Sequence, residues 1–183
     1  MPPSFKTVCV YCASSADVDD VYKEAARDLG QLCAQSGKHI VYGGGHVGLM
    51  GVLADSALAA GGEVTGVIPQ LLMEKEVAHR GLTHLYQTQT MQERQLKMAE
   101  LSDAFVVLPG GTGTLAEFFE VLTWKQLGLH DKPIAVLNIG GYWDFLLKTL
   151  DFAREQRFIK HNLNALYDIF CDMDAFRAAY FNI

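Results

Sequence analysis

Short apolar runs alternate with longer amphipathic stretches from one end of the chain to the other, and this alternation restricts the fold more than any other feature. Two of the runs, residues 105–108 and 134–137, are continuously apolar, as is typical of central strands in a parallel sheet covered on both faces. The pattern predicts strands at residues 7–12, 39–42, 63–68, 83–88, 104–108 and 133–138.

The stretches between these strands indicate helices at residues 18–36, 47–60, 91–102, 115–128 and 142–157, then a helical segment with one short extended piece at 162–183. This order predicts an α/β fold, a Rossmann-like doubly wound parallel sheet with helices on both faces. The 183 residues show no repeat, linker or low-complexity segment, so we expect a single domain over 1–183.

Composition excludes several classes of protein. Hydrophobic residues make up 50% of the chain and charged residues 20%, which is too apolar for a disordered segment. The formal net charge of -6 argues against a basic surface that grips nucleic acid, so we expect no nucleic-acid partner. No run approaches the roughly 20 apolar residues of a membrane span. The first six residues lack the apolar core of a signal peptide, and we therefore expect a cytoplasmic protein that makes no membrane contact.

The four cysteines and six histidines point to no metal site. Cys9 and Cys12 form a C-x-x-C, but they lie in a predicted strand, whereas a redox pair sits at a helix start and a zinc site needs a second pair. Cys33 and Cys171 are isolated, and the histidines show no ligand spacing. We expect four buried or half-buried thiols and no bound metal.

Ligands of open parallel sheets bind beyond the carboxyl ends of the strands, and three loops there carry unusual residues. The first is Cys12-Ala13-Ser14-Ser15, whose hydroxyls could cap the next helix or touch a ligand. Capping is the favoured interpretation.

The second loop contains Gly43-x-Gly45-x-x-Gly48, which matches the dinucleotide fingerprint between a strand and a helix. It follows the second strand, however, and the next strand ends in Val67-Ile68-Pro69 without the acidic residue that binds a ribose. The pattern favours a phosphate or nucleotide near Gly44 and Gly45 over a standard NAD site. Tight packing of helix on sheet is the alternative reason for the glycines.

The third loop is rich in glycine and threonine and lies between an apolar strand and an amphipathic helix. Such a turn presents backbone N–H groups and hydroxyls to one point, as a phosphate requires. It is not a P-loop, because no lysine follows the glycines at the required spacing. Its members are Gly110, Gly111, Thr112, Gly113 and Thr114.

Glu117 follows this loop and has two interpretations. Thr114-Leu115-Ala116-Glu117 is a T-x-x-E capping box, but a catalytic carboxylate would look the same. Arg94 favours the second interpretation, since it shares a predicted helix face with apolar residues and must find an anion there. A substrate phosphate or Glu117 is its natural partner, and a purely structural ion pair remains open.

These residues together resemble a known family. Pro109-Gly110-Gly111-x-Gly113-Thr114-x-x-Glu117 is similar to the PGGxGTxxE signature of the LONELY GUY (LOG) proteins, which are cytokinin-activating nucleoside 5′-monophosphate phosphoribohydrolases often mislabelled lysine decarboxylases. The resemblance covers nearly the whole chain, through residues 12–15, 42–51, 75–79, 91–94, 123–128 and 130–133.

The resemblance implies hydrolysis of the N-glycosidic bond of N6-substituted adenosine monophosphates or of AMP, in a homodimer whose active sites lie near the subunit interface. It implies that Arg94 and Glu117 are the catalytic pair, and that Glu76 and Thr123 contact the substrate. The residues implied to hold the phosphate are Gly110, Gly111, Thr112, Gly113 and Thr114. Trp124, Leu127 and Leu129 belong either to the implied interface or to the ordinary core.

Three positions depart from the family pattern. The family commonly reads M-H-x-R-K, whereas Gln92 and Gln95 replace the histidine and the lysine here, which puts substrate preference in doubt more than the reaction. Ala13 stands where a glycine is usual.

The chemistry is coherent without the family. Cleavage of a ribose–adenine bond passes through an oxocarbenium-like centre that a carboxylate such as Glu117 stabilises while it orients water. No cofactor is required, and no lysine stands out as a pyridoxal-phosphate lysine. Two other functions remain open: a non-catalytic nucleotide-binding or carrier protein that uses the same loops and, more distantly, an NAD-dependent oxidoreductase.

Overall fold

A parallel β-sheet forms the centre of the fold. The computed structural model describes residues 3–73, 78–159 and 165–182, and within these ranges the sheet has seven strands in the order β4-β3-β2-β1-β5-β6-β7. Every pair of neighbouring strands runs parallel. The strands are β1 (Thr7–Tyr11), β2 (His39–Tyr42), β3 (Val64–Pro69), β4 (His84–Thr88), β5 (Ala104–Val107), β6 (Ile134–Leu137) and β7 (Asp168–Phe170).

Helices cover both faces of the sheet. On one face, α1, α2 and α7 pack their apolar sides against side chains such as Val8 and Val10 of β1. On the other, α4, α5 and α6 cover Tyr11 and Phe105. The helices are α1 (Asp20–Gln35), α2 (Gly48–Ala59), α3 (Gln70–Met73), α4 (Met91–Glu100), α5 (Thr112–Gln126), α6 (Asp144–Glu155) and α7 (Met173–Phe181), with a 3₁₀ turn at Ile139–Gly141 before α6.

The predicted α/β fold with a doubly wound parallel sheet is confirmed. All six predicted strands are present with ends shifted by at most one residue, and β7 is the short extended piece expected near the C-terminus. The single-turn helix α3 was not predicted. The largest shift is at α5, which begins at Thr112 rather than at residue 115.

The two outer strands of the sheet are the most exposed, whereas β5 and β6 are fully buried, as their continuous apolar runs predict. Cys9 of β1 and Cys12, which directly follows β1, point to opposite faces of the sheet, since one belongs to each core cluster. Cys33 is buried, and the expectation of a buried or half-buried thiol is wrong only for Cys171, which is exposed.

Among the described residues, no helix has both the length and the apolar character needed to cross a bilayer.

The chain reverses its direction of travel across the sheet at β1. From β1 it moves outward through β2, β3 and β4, and α4 then carries it back so that β5 pairs with the other side of β1. Loops that leave β1 and β5 therefore diverge to opposite faces of the sheet, which opens a crevice at their carboxyl ends. Ligands of this fold class bind in such crevices.

Asp103 joins the opposite ends of these two strands. Its Oδ2 accepts hydrogen bonds from the backbone N–H groups of Lys6 and Thr7, each 2.9 Å long. These two bonds hold the pKa of the Asp103 carboxyl below its ordinary value. They fix the start of β1 against the start of β5.

Replacement of Asp103 by Asn should lower the free energy of unfolding by about 1 kcal/mol at neutral pH, because an amide accepts these bonds more weakly. The carboxyl pKa is lower in the folded than in the unfolded chain, so its contribution is complete above the unfolded value of about 3.9. It is lost as the pH falls through the folded value. Urea denaturation of both proteins at several pH values should therefore show a difference that shrinks below about pH 4. The exposed loop variant Asp17→Asn serves as the control, and a difference of equal size at pH 7 and pH 3 would contradict this role.

Candidate active site

A cleft of about 160 Å³ opens at the carboxyl ends of β1 and β5. Its walls come from the loop after β1, the loop after β2, the start of α2, the first turn of α4 and the start of α5. The residues that line it are Val10, Cys12, Ala13, Ser14, Gly43, Met50, Arg94, Gly111, Thr112, Gly113, Thr114 and Glu117.

The N-terminus of α5 forms one end of the cleft. Gly111 is the N-cap residue, and it makes no side-chain cap. The N–H groups of the first turn have no partner within the helix, and the first turn carries no acidic residue. The free donors and the positive end of the helix dipole together favour an anion such as a phosphate.

Thr114 lies inside the first turn of α5, two residues beyond its start. A capping box requires the threonine at the N-cap, so the structure excludes this interpretation of Thr114 and Glu117. Glu117 instead lines the cleft with its side chain only 8% exposed.

A cap similar to a capping box, with the N–H of Gln89 in place of that of the N-cap Thr90, forms at α4 and sets the position of Arg94. Thr90 is the N-cap, and its hydroxyl accepts from the N–H of Glu93, while the Glu93 carboxylate accepts from the N–H of Gln89. This pattern fixes the first turn of α4 at the end of β4. Arg94 follows immediately and points into the fold, 5% exposed.

The Arg94 guanidinium is held at three points. Its Nε donates to the carbonyl of Val67 at 3.0 Å and its Nη2 to that of Gly43 at 3.2 Å, so the ends of β2 and β3 both bind it. Its Nη1 lies 3.6 Å from Oε1 of Glu117. A β-carbon at Gly43 would collide with Nη2, and this close approach explains why a glycine stands there. The arrangement confirms that Arg94 finds an anion, and the anion in the described structure is Glu117.

The hydroxyls of the first loop do not cap a helix. Helix α1 begins at Asp20, with Asp19 as its N-cap, so the favoured capping role of Ser14 and Ser15 is wrong. Ser14 lines the cleft beside Cys12 instead. Burial raises the pKa of the Cys12 thiol, which is therefore neutral near pH 7.

Other predicted site residues lie outside the cleft. Gly44 and Gly45 turn away from it: the Gly44 carbonyl accepts from the N–H of His79 at 3.0 Å, and Gly45 pairs with Ala78 in an isolated β-bridge. Thr123 is exposed about 16 Å along α5 from its first residue. Gly110 immediately precedes the cleft-lining residues, and Glu76 lies outside the described residues.

The fold brings two histidines together that show no ligand spacing in the sequence. His46, Asp55 and His79 place one ligand atom each within 4.8 Å of one another. The N–H of Gly81 donates to Nδ1 of His79, which leaves the proton on Nε2, directed at Asp55 at 2.9 Å. Both ring nitrogens are engaged, so His79 tethers α2 to the segment that leads into β4.

Sequence comparison matches the chain to known proteins. The model of a family described as "Possible lysine decarboxylase" matches residues 50–179. A protein of Arabidopsis thaliana named cytokinin riboside 5′-monophosphate phosphoribohydrolase is 46% identical over 156 residues, which is 85% of this chain and 68% of that protein. One of the same name from Rhodococcoides fascians is 47% identical over 158 residues, 86% of this chain and 80% of that protein.

The chain belongs to the LONELY GUY (LOG) family. The resemblance predicted from residues 109–117 is thereby confirmed. Of the departures from the LOG pattern, Ala13 lines the cleft, whereas Gln92 is exposed and Gln95 is half-buried, and neither lines it.

Solved structures share the fold of this chain. A molybdenum cofactor carrier protein from Chlamydomonas reinhardtii superposes with a TM-score of 0.71, covering 98% of this chain and 96% of that chain at 23% identity. At this level of identity the likeness concerns the fold alone.

Removal of the Arg94 side chain should strongly destabilise the fold. In Arg94→Met, the buried Glu117 carboxylate loses its cationic neighbour, and two carbonyl oxygens lose this donor, at a cost of about 3–5 kcal/mol. The double variant Arg94→Met/Glu117→Leu should lose less than the sum of the two single variants, because the pair is coupled. Urea denaturation of the four proteins measures this coupling.

The control is Lys97→Met, one turn further along α4, which removes an exposed ion pair with Glu100 and a cation–π contact with the ring of Tyr86. It should change the free energy of unfolding by at most about 1 kcal/mol, well below the loss in Arg94→Met. If the losses of the two single variants sum to the loss of the double variant within about 0.5 kcal/mol, the two side chains do not act together.

Proposed function

We propose that this chain hydrolyses the N-glycosidic bond of N6-substituted adenosine 5′-monophosphates, or of AMP itself, to release the free base and ribose 5-phosphate. One observation carries the proposal: the buried pair of Arg94 and Glu117 lies in the same cleft as the unpaired N-terminus of α5. The names of the relatives from Arabidopsis thaliana and Rhodococcoides fascians support it.

The start of α5 suits the phosphate of such a substrate. The N–H groups at Gly111, Thr112, Gly113 and Thr114 face the cleft end without partners inside the helix. The net charge of the chain is negative, so anion binding depends on these local donors and not on the overall charge. Glu117 lies five residues beyond Thr112, about 7.5 Å along the helix axis. That separation is of the order of the length of a ribose 5-phosphate, so the anomeric carbon falls beside the carboxylate.

Glu117 carries the chemical step in this proposal. As the bond between the anomeric carbon and the base breaks, its electron pair leaves with the base and positive charge develops on the ribose ring. A carboxylate beside the ring stabilises that charge and orients a water molecule, from which it accepts a proton as the water attacks. The proton then neutralises the departing base.

Arg94 keeps the carboxylate in place. Two of its N–H groups are held by the carbonyls of Gly43 and Val67, so its guanidinium cannot swing toward a phosphate without breaking both bonds. The third side of the guanidinium faces Glu117. We therefore assign phosphate binding to α5 and the orientation of Glu117 to Arg94.

A second copy of the chain completes the site in this proposal. The cleft is smaller than the roughly 300–1,000 Å³ of pockets that enclose a whole small ligand, so the base extends beyond it. An apolar surface lies on α4, α5 and the loop after α5, toward the end of α5 that is distant from the cleft of the same chain, where Leu127 and Leu129 are 67% and 70% exposed and Leu96 is also exposed. Trp124 lines a groove of about 250 Å³ with Leu96 and Leu129. Burial of this surface supports a homodimer.

Thr123 fits the same arrangement. It lies next to Trp124 on α5 and far from the cleft of its own chain. A contact between Thr123 and substrate therefore requires the cleft of the partner subunit.

The Glu117→Gln variant should lose at least a thousandfold in kcat, because an amide neither stabilises an oxocarbenium charge nor accepts a proton from water. The assay follows free base by chromatography with AMP, its N6-isopentenyl derivative and the unphosphorylated nucleoside as substrates. The exposed variant Glu24→Gln on α1 is the matched control and should retain full activity.

The same assay separates the enzyme from a carrier protein. An enzyme releases base and an equal amount of ribose 5-phosphate from at least one monophosphate, and Glu117→Gln stops both. Saturable AMP binding by the unaltered chain, with no base released from any substrate, would establish the carrier instead.

The substitution Leu129→Glu should convert the homodimer to a monomer, because a charge at the centre of the apolar surface is costly to bury. Light scattering after size-exclusion chromatography measures the mass, and base release should fall with it. Val21→Glu places the same charge at an exposed apolar position of α1, on the other face of the sheet, and should remain dimeric. A dimer that survives Leu129→Glu would remove this surface from the interface.

A further inference from the structure

Tyr142 bonds to the loop that opens the phosphate end of the cleft. Its hydroxyl donates to the carbonyl of Gly110 at 2.7 Å. Gly110 follows β5 and Tyr142 follows the neighbouring strand β6, so the bond crosses between two adjacent loops at the carboxyl edge of the sheet. The Tyr142 side chain does not line the cleft itself.

The ring of Tyr142 is partly exposed and contacts two other aromatic rings. It packs edge-to-face against Tyr22 of α1, with centroids 5.6 Å apart, and against Trp143 at 4.7 Å. Gly140 and Gly141 adopt positive φ angles of 61° and 72°, which form the tight turn that carries Tyr142 over the neighbouring loop.

Asn138 at the end of β6 secures that turn. Its Oδ1 accepts from the N–H of Trp143 at 2.7 Å, and its Nδ2 donates to Asp144 at 2.8 Å. The N–H of Tyr142 donates to the carbonyl of Ile139. A tyrosine held by ring packing and by the backbone on both sides is an anchor that loses little conformational entropy when it forms its hydrogen bond.

Peptide geometry links this bond to the cleft. The carbonyl of one residue and the N–H of the next point in opposite directions across a trans peptide. No peptide bond of the described residues is cis. The Gly110 carbonyl points at the hydroxyl of Tyr142, a residue that does not line the cleft, so the N–H of Gly111 points in the opposite direction. Gly111 lines the cleft and is the N-cap of α5.

The peptide group between Pro109 and Gly110 is hydrogen-bonded on the opposite side, to the segment that follows β1. The carbonyl of Pro109 accepts from the N–H of Ala13 at 3.2 Å, and the N–H of Leu108 donates to the carbonyl of Tyr11 at 2.9 Å. The loop after β5 is thus bound to β1 on one side and to the β6–α6 turn on the other. Without the hydrogen bonds to the Pro109 and Gly110 carbonyls, Gly110 and Gly111 would sample many backbone conformations.

We propose that Tyr142 is a positioning residue for phosphate recognition: by holding the Gly110 carbonyl, its hydroxyl aims the Gly111 N–H at the phosphate of the substrate. This inference rests on the phosphate site of the proposed function. It adds a specific residue, outside the cleft and outside the family signature, on which phosphate affinity depends.

The Tyr142→Phe variant tests this role, because it removes the hydroxyl and keeps the ring. The dissociation constants of inorganic phosphate and ribose 5-phosphate, measured by calorimetry, should rise about five- to tenfold, as expected for the loss of one oriented hydrogen bond. The affinity for adenine should not change. In turnover of AMP, KM should rise by the same factor while kcat stays within about twofold, since the carboxylate is untouched.

Tyr22→Phe is the matched control, since it removes a hydroxyl from the ring packed against Tyr142 and leaves the bond to Gly110 intact. It should bind phosphate like the unaltered chain. In NMR titrations with inorganic phosphate, the shift of the Gly111 amide resonance should be large in the unaltered chain and in Tyr22→Phe, and small in Tyr142→Phe.

Each outcome of these measurements decides the inference. Phosphate affinity unchanged in Tyr142→Phe overturns the role of Tyr142 and leaves the phosphate site standing. Equal weakening of phosphate and adenine, or equal effects of Tyr142→Phe and Tyr22→Phe, overturns it in favour of a general structural role. An unaltered chain with no affinity for phosphate overturns the phosphate site and, with it, this inference.

Discussion

A guanidinium buried where two strand ends meet a helix is the constraint on which the site depends. Arg94 has to satisfy its charge and its donors away from water, and it does so with two carbonyls and the Glu117 carboxylate. Arg94 bonds to carbonyls at the ends of β2 and β3, in one half of the sheet. Glu117 lies on α5, which follows β5 in the other half. The cost of leaving either group alone holds the two halves in register around the cleft, so the interaction that supports the fold is also the one that orients the carboxylate.

The arrangement of strands was predictable because burial on both faces leaves continuous apolar runs, and β5 and β6 follow these runs closely. The start of α5 was harder to predict. Thr114 and Glu117 have the spacing of a capping box, and local pattern cannot show that the helix already begins at Thr112. The same T-x-x-E pattern at Thr90 and Glu93 is a real cap, so identical motifs have different roles in one chain.

Some residues of the candidate site were predictable from the local sequence, and others were not. Arg94 was predictable because a charge on an apolar helix face needs an anion, and the glycine-rich start of α5 because it offers unpaired N–H groups. Gly43 was not distinguishable from its neighbours, since its role arises from the approach of a side chain 51 residues away. Likewise, no local pattern connects Tyr142 to Gly110. Contacts between distant segments depend on the packed fold, and a single sequence records them only weakly.

Strand β1 is the first strand in the chain and lies at the centre of the sheet. Its neighbour β5 is about a hundred residues away, as the contact of Thr7 with Asp103 across 96 positions shows. During synthesis, β1 can pair with β2 early, but the second wall of the cleft does not exist until most of the chain has emerged. Under the proposed function, nucleotide binding is therefore a property of the finished molecule, and a bound nucleotide would select for chains that have completed the pairing of β1 with β5.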